Sequence, residues 1–266
     1  MLLCIDIGNT NINFGMFDDS CENIACTFAV SSLTKRTPDE FYFIISQMLF
    51  QNKLELPTNC CISSVVPSIT DCISEACVKL SNKQPFIISA GTRTGFPIKI
   101  DIQSQLGSDI VSNAAAAFHF AKPPFAVVDV GTATTVTVVD SSGTLVGTVI
   151  APGAFISLEA LSTSCALLYD VSIGFSNHLI GKNSQDSIKS GAFNGHVYMI
   201  DGFIERIAAE ISASPDDLTL IGTGGMAESI LEHCKNDFMI IPHLTLKGAA
   251  SLFYHNTSSA RSNYTK

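Results

Sequence analysis

Hydrophobic and polar positions alternate in two recurring rhythms along the chain. "LLCIDIG" is an apolar run that reads as a strand. "NINFGMFDDS" and "ENIACTFAV" follow as a hairpin with its turn near Asp18-Asp19-Ser20. "PDEFYFIISQMLFQ" places apolar residues at helical spacing, with Pro38 and two acids in the first turn, as a helix start requires. "NCCISSVVP" predicts a buried strand ending at Pro67, "SITDCISEACVKLS" a helix and "PFIISA" a further strand. Residues 91–106 carry no period, and a helix opens at "GSDIVSNAAAAFHFA" until "KPP" breaks it. "FAVVDVG", "TATTVTVVD" and "GTLVGTVIA" then read as three consecutive strands. Helices are predicted at about 154–167 and over much of 184–212. The strand "LTLIGTGG", the helix "MAESILEHC", the strand "FMII" and the helix "LTLKGAASLFYH" complete the pattern, with a polar, frayed tail after His255. Phe41, Phe43 and Phe50 fall at helical positions and are expected in the core.

Each half therefore starts strand–turn–strand–strand and continues with helices alternating with strands. This is an α/β chain with an internal duplication. The boundary is set near Lys122-Pro123, giving domains 1–122 and 123–256 with a polar tail 257–266. The halves also share a phrase: "CIDIGNT" and "VVDVGTA" each end an apolar strand in Asp-x-Gly and then a hydroxyl- or amide-bearing residue. Glycine lets several N–H groups point into one concavity, and such nests bind anions. Asn9, Thr10 and Asn11 in one turn, and Thr132 and Thr134 in the other, add side-chain donors. An acid beside a phosphate nest makes sense when a cation or its water lies between them. One Asp-x-Gly is an ordinary turn; two on equivalent strands predict a phosphate loop from each half, facing across a nucleotide cleft. "GTGGMA" at 222–227 has a Rossmann-like spacing, but no acid ends a following strand to hold a ribose. "GKNS" at 181–184 resembles the end of a Walker A loop, but Ser176 stands where that motif needs Gly.

Composition narrows the partners. A hydrophobic share of 46% against 15% charged residues predicts a globular chain. The balance of 15 basic and 24 acidic residues, net −9, argues against nucleic acid, whose phosphates demand clustered Lys and Arg. Nine cysteines, an odd number with no CxxC, predict free thiols in a reducing compartment, with no disulfide framework and no metal role. Asp6 comes too early for a signal peptide, and no run of about 18 apolar residues is present. The expectation is a cytoplasmic protein with no membrane partner. His119 and His178 read as packing or surface residues.

Taken together, these phrases resemble the type III pantothenate kinase family, within the acetate and sugar kinase, Hsp70 and actin superfamily. "DIGNTNI" and "DVGTATTVTVVD" are similar to its two phosphate motifs, and "SSVVP" to its third-strand phrase. "GSDIVSNAAAA" resembles its G-x-D-R-x-x-N-x-x-A helix start, and "APGAFISLEAL" its P-G-x-x-x-S-x-x-A-L segment. "GKNSQDSIKSG" resembles its G-K-N-T segment, and "GTGGMA" its T-G-G-x-A turn beside the adenosine. The resemblance implies two tandem ribonuclease H-like domains with mixed sheets, a homodimer, and ATP-dependent phosphorylation of pantothenate to 4′-phosphopantothenate. Asp6, Ile7, Gly8, Asn9, Thr10, Asn11, Ile12 and Asn13 would bind ATP phosphates, with Asp6 near Mg²⁺ through water and Thr132 reaching ATP from the second turn. Asp129 would hold the monovalent cation, K⁺ or NH₄⁺. Asp109 would be the general base; Gly107, Ser108, Asp109 and Ile110 would line the pantothenate pocket, with Ser184 at a substrate-binding position. The reading of Asp109 from its residues alone is a helix cap; the family pattern turns it into a base.

Three positions depart from that pattern. Ile110 stands where the family has Arg, Ile100 where it has Tyr, and Ser184 where it has Thr. Ile110 forfeits any charge-assisted bond, worth about 1.5–3 kcal/mol. Lys99 and Lys182 are candidates for the missing cation and equally read as solvated lysines. The departures leave two other outcomes open: a related small-alcohol kinase with a different acceptor, or a nucleotide-binding paralogue.

Overall fold

The computed structural model describes residues 1–18, 23–165, 171–214 and 217–262, with 258–262 by backbone alone. In the first half, β1 (Leu2–Ile7), β2 (Asn11–Phe17) and β3 (Ile24–Ser31) form an antiparallel meander, and β4 (Asn59–Ser64) and β5 (Phe86–Ile87) add in parallel beside β1. The sheet order is β3-β2-β1-β4-β5. In the second half, β6 (Phe125–Val130), β7 (Ala133–Val139), β8 (Leu145–Pro152), β9 (Thr219–Thr223) and β10 (Met239–Ile240) take the order β10-β9-β6-β7-β8. Read from its other end, that is the same order, with the same mixture of parallel and antiparallel pairs. Both sheets have the mixed ribonuclease H-like topology, and the duplication is real at the level of strands.

The central strands are buried on both faces, which is why they read as nearly unbroken apolar runs. On β1, Leu3, Ile5 and Ile7 face a core built with α1 (Pro38–Gln51) and α2 (Pro67–Ser81). Leu2 and Cys4 face the opposite core, built with α3 (Ser108–Ala117) and α8 (Leu244–Ser262). Period-two alternation then puts Asp6 on the α3 side of the sheet. In the second half, Ala126, Val128 and Val130 pack with α6 (Gly195–Glu210) and α7 (Ala227–Leu231). Each fully buried Leu, Ile or Val among them contributes about 1.5–3 kcal/mol of transfer free energy.

Helix α1 starts as its sequence predicts: Thr37 caps it and Glu40 closes the capping box. It buries Phe41, Ile45 and Leu49 at i, i+4 and i+8. Phe43 and Phe50, expected in the core, lie outside that stripe and are 66% and 77% exposed. The two helices expected after β8 are α4 (Ala154–Ser164) and a longer run. That run comprises α5 (Ser184–Lys189), a π-helical turn at Ser190–Asn194, and α6. Residues 166–167 of the first, and Asp19 and Ser20 of the predicted hairpin turn, lie outside the described residues. The eight described cysteines are free thiols.

The end of the chain differs from expectation. The compact units are Met1–Phe120 with His243–Lys266, and Ala121–Pro242. The last helix therefore folds with the first unit, whereas the sequence reading set residues 243–256 in the second. Its packing explains this: a Cβ at Gly248 would collide with the Ser112 carbonyl, so α8 and α3 meet backbone to backbone. The alanine run Ala114–Ala117 supplies the flat surface for that approach. Thr245 Oγ1 donates to Asn113 Oδ1 at 2.9 Å in the same buried seam. Nor does the helix stop at His255, because Asn256 is anchored: its Nδ2 donates to the carbonyl of Arg93 and its Oδ1 accepts the Arg93 N–H.

Candidate functional site

The first glycine turn joins β1 to β2. Gly8 N–H donates to Asn11 O at 3.0 Å, and Ser32 clamps the turn twice. Its N–H donates to Thr10 O at 2.9 Å and its hydroxyl to Gly8 O at 2.6 Å. A Cβ at Gly8 would stand 3.2 Å from Asn11 O, tighter than most side chains tolerate. Asn9 and Asn11 are exposed, with Thr10 and Gly8 half-buried, so this turn presents N–H groups, amides and a hydroxyl. Ile7 and Ile12 are fully buried and offer main chain alone. Asn13 Nδ2 donates to Asp6 Oδ2 at 3.4 Å, which orients the carboxylate at the strand end.

The second turn joins β6 to β7 and is one residue shorter, with Val130 paired to Thr134 where Ile7 is paired to Ile12. Gly131 N–H donates to Ala133 O at 3.1 Å and Gly153 N–H to Thr132 O at 3.1 Å. Thr132 is exposed. Thr134 was expected to add a donor to the turn, but it is buried, and its hydroxyl lies 2.8 Å from His196 Nε2. Burial lowers the His196 pKa, which keeps the imidazole neutral. Asp129 sits under the turn after β9: a Cβ at Gly224 would meet Asp129 Oδ1 and the Val130 carbonyl together. Gly224 has φ +99°, a backbone angle only glycine adopts without strain. Carboxylate and carbonyl oxygens thus crowd one point.

Asp109 opens α3 in the first unit. The helix start is tied to the end of β4 by one hydroxyl. Ser108 Oγ donates to Ser64 O at 3.0 Å and accepts from Ser63 Oγ at 3.0 Å and Ser64 N–H at 2.8 Å. Ser63 is the register partner of Asp6 in the parallel β1–β4 pair, so Asp6 and Asp109 belong to one end of one sheet. Ser108, expected to line the pantothenate pocket, does line the cavity described below, while its hydroxyl proton goes to Ser64 O. The Asp109 carboxylate folds back over Gly107, where a Cβ would displace it. Burial pushes its carboxyl up, and the N–H groups of Ile110 and of Asp109 itself oppose that only in part. The result is a carboxylate more basic than an ordinary aspartate. Ile110 is 5% exposed and serves the core. Beside this helix start lies a cavity of about 370 Å³, lined by Ser64 and Val65, residues 88–90, Thr92, Thr94, Ile98, residues 103–108 and Val111. Its volume is within the range of small-molecule sites.

The structure thus groups Asp6 to Asn13 with Gly107 to Ile110 in the first unit, and Asp129, Thr132 and Gly224 in the second. Ser184 is exposed at the start of α5, whose cap is Asn183. Lys99 and Lys182 are also exposed. Two supporting residues escape a sequence reading. His196 is 62 residues from Thr134, and no local signal links them. Ser32 is an ordinary serine after a strand. Among the described residues no group of three or more His, Cys, Asp or Glu is arranged to hold a metal.

The comparisons with known proteins identify the family. A family model described as type III pantothenate kinase matches residues 2–206. The chain is 35% identical over 267 residues to a type III pantothenate kinase of Thermobifida fusca, covering 97% of this chain and 100% of that one. It is 37% identical over 259 residues to one of Listeria monocytogenes serotype 4a, covering 96% and 98%. Among solved structures, one described as a Baf family transcriptional activator from Campylobacter jejuni superimposes with a TM-score of 0.58 at 18% identity, covering 96% and 99%, which speaks for the fold alone. With the family model spanning most of the sequence and full-length relatives above 30% identity, the chain belongs to the type III pantothenate kinase family.

Proposed function

We propose that this chain transfers the γ-phosphoryl group of ATP to the primary hydroxyl of pantothenate, giving 4′-phosphopantothenate, the first step of coenzyme A synthesis. The observation that carries the reading is the repeated Asp-x-Gly turn, at the same place in two sheets of the same order. In this reading the main chain from Asp6 to Asn13, with the Asn9, Thr10 and Asn11 side chains, takes up phosphate oxygens, and Thr132 contacts ATP from the second turn. Asp109 accepts the hydroxyl proton as the acceptor oxygen bonds to the γ-phosphorus and the bond to the bridging oxygen of ADP breaks. Phosphoryl transfer asks the protein mainly for alignment and charge neutralisation.

The carboxylates of Asp6 and Asp129 offer oxygen ligands, which suit hard cations. Mg²⁺ near Asp6 would neutralise phosphate charge, with most of its ligands water and phosphate, as a single protein carboxylate implies. The crowded Asp129 carboxylate and Val130 carbonyl offer one formal charge, which suits K⁺ or NH₄⁺ better than a divalent ion. A homodimer is supported by apolar side chains left exposed in the second unit, Phe155 at 55%, Leu179 at 60% and Ile180 at 83%. Among the described residues no helix is long and apolar enough to cross a membrane, consistent with a cytoplasmic site of action.

The test is direct. Purified protein with ATP, Mg²⁺, K⁺ and pantothenate should form 4′-phosphopantothenate, measured by mass spectrometry. ATP bound without any such product would contradict the reading.

A further inference from the structure

The cavity beside Asp109 has two walls, and the last helix is tied to both. One wall is the start of α3, with Ser108 and Val111; the other is the loop after β5, with Thr92, Thr94 and Ile98. Helix α8 lies against α3 at Gly248, close to the Ser112 carbonyl, and at Thr245, bonded to Asn113. Its Ala249, Ala250 and Leu252 are buried in the same core as Val111. Eight residues beyond Gly248, about 12 Å along a helix, Asn256 meets the loop. There one side-chain amide takes up both main-chain groups of Arg93, the residue between the two lining threonines. Asn256 Oδ1 accepts the Arg93 N–H at 3.1 Å, and Nδ2 donates to the Arg93 carbonyl at 2.9 Å. The other Nδ2 proton goes to the Leu252 carbonyl at 2.8 Å, which ties the side chain to its own helix. Two-point pairing of this kind fixes the peptide planes on either side of Arg93, and with them the directions of Thr92 and Thr94. Gly95, at φ +84°, passes so close to His255 that a Cβ would stand 3.3 Å from its ring. The segment between β5 and the short helical turn Gln103–Gln105 has no helix or strand element of its own, so holding it in one shape costs conformational entropy.

We infer that Asn256 is a positioning residue for the acceptor: anchored on α8, it holds the loop at residues 92–96 in place against the helix that carries Asp109, so that the cavity is formed before pantothenate enters. The inference rests on the kinase reading, in which this cavity takes the acceptor, and deepens it by naming a residue that governs acceptor binding from outside the lining. Asn256 acts through Thr92 and Thr94. Released from the clamp, the loop populates other shapes, and acceptor affinity falls by the fraction of time the binding shape is present. ATP, held at the glycine turns, is unaffected.

The experiment measures KM for pantothenate and for ATP on the full chain and on Asn256→Ala, because KM does not depend on the fraction of protein that is active. Alanine is the best helix former, so α8 keeps its own propensity. KM for pantothenate should rise about tenfold, the scale of one to two net hydrogen bonds, with kcat and KM for ATP at their original values. Amide hydrogen exchange in residues 92–96 should also be faster in Asn256→Ala with no ligand present. An unchanged KM for pantothenate, a rise shared equally with KM for ATP, or unchanged exchange in the loop overturns the inference and leaves the kinase reading intact. Thr257→Ala is the control, since Thr257 Oγ1 donates within the same helix end, to the Phe253 carbonyl at 2.8 Å. It should leave both KM values where they are; a rise matching that of Asn256→Ala would trace the effect to fraying of the helix and overturn the inference. If the unaltered chain turns over no pantothenate, the kinase reading falls, and the inference with it.

Discussion

The two glycine turns share two main-chain ties and differ in length and in what else holds them. In both, the residue after the third strand donates to the turn, Ser32 N–H to Thr10 O and Gly153 N–H to Thr132 O. In both, a residue following the parallel neighbour strand donates to the last residue of the central strand, Val65 to Ile7 and Met226 to Val130, each at 3.1 Å. The supports then part. The first turn is clamped by a hydroxyl, Ser32 on Gly8. The second is approached so closely that Gly153 has no room for a side chain, since a Cβ there would meet both the Gly131 and Thr132 carbonyls. Sheet topology dictates the ties that are repeated, while each half has found its own way to stiffen its turn. The unrepeated chemistry, Asp109 on α3, belongs to one half alone.

The largest effect should come from that unrepeated group. Asp109→Asn should lower kcat by about 10²–10⁴, the usual span for a lost general base, with ATP affinity unchanged by calorimetry. A loss of ATP affinity instead would assign Asp109 to the nucleotide. The same residue sets the pH dependence. Its pKa is raised by burial, so the base form is depleted on acidification sooner than for an ordinary aspartate. The acid limb of kcat/KM should therefore lie above the usual aspartate range, and a limb at or below that range would deny Asp109 the role.

Next come the two supports. Gly153→Ala forces a Cβ into two carbonyls and should cost about 1–3 kcal/mol in denaturant unfolding. A neutral result would mean that β8 is free to move away from the turn. His196→Phe fills the ring's space but leaves the buried Thr134 hydroxyl without its partner, at about 1–3 kcal/mol. Unchanged stability would show that Thr134 turns to another acceptor. Ser32→Ala should be mildest, about 0.5–1.5 kcal/mol for one hydrogen bond, because the main-chain tie to Thr10 remains. If Ser32→Ala proved costlier than Gly153→Ala, the contrast between a hydroxyl clamp and a glycine lock would be reversed.

Much of this was legible because the signals are local. The central strands announce themselves as apolar runs ending in Asp-x-Gly, and α1 by Thr37, Pro38 and Glu40. What escaped depends on contacts distant in sequence. Helix α8 follows β10 in the chain, yet its partner is α3, and only the absence of a side chain at Gly248 hints at so close an approach. Phe43 and Phe50 show the limit of apolar spacing, since α1 carries more apolar residues than its core face uses. Ser108 lines the cavity, and its tie to the end of β4 spans 44 residues with no local signal. In the site, Asp6, Gly8 and Asp109 were legible as residue types at turns and a helix start. Their supports, Ser32 and His196, are single polar residues that acquire meaning only through the fold.

The central proposal is that each of the two turns binds ATP phosphate, and amide hydrogen exchange tests it most directly. Adding a non-hydrolysable ATP analogue with Mg²⁺ should slow exchange in residues 8–11 and in residues 131–134 together. Protection confined to one of the two turns, or to neither, would contradict it.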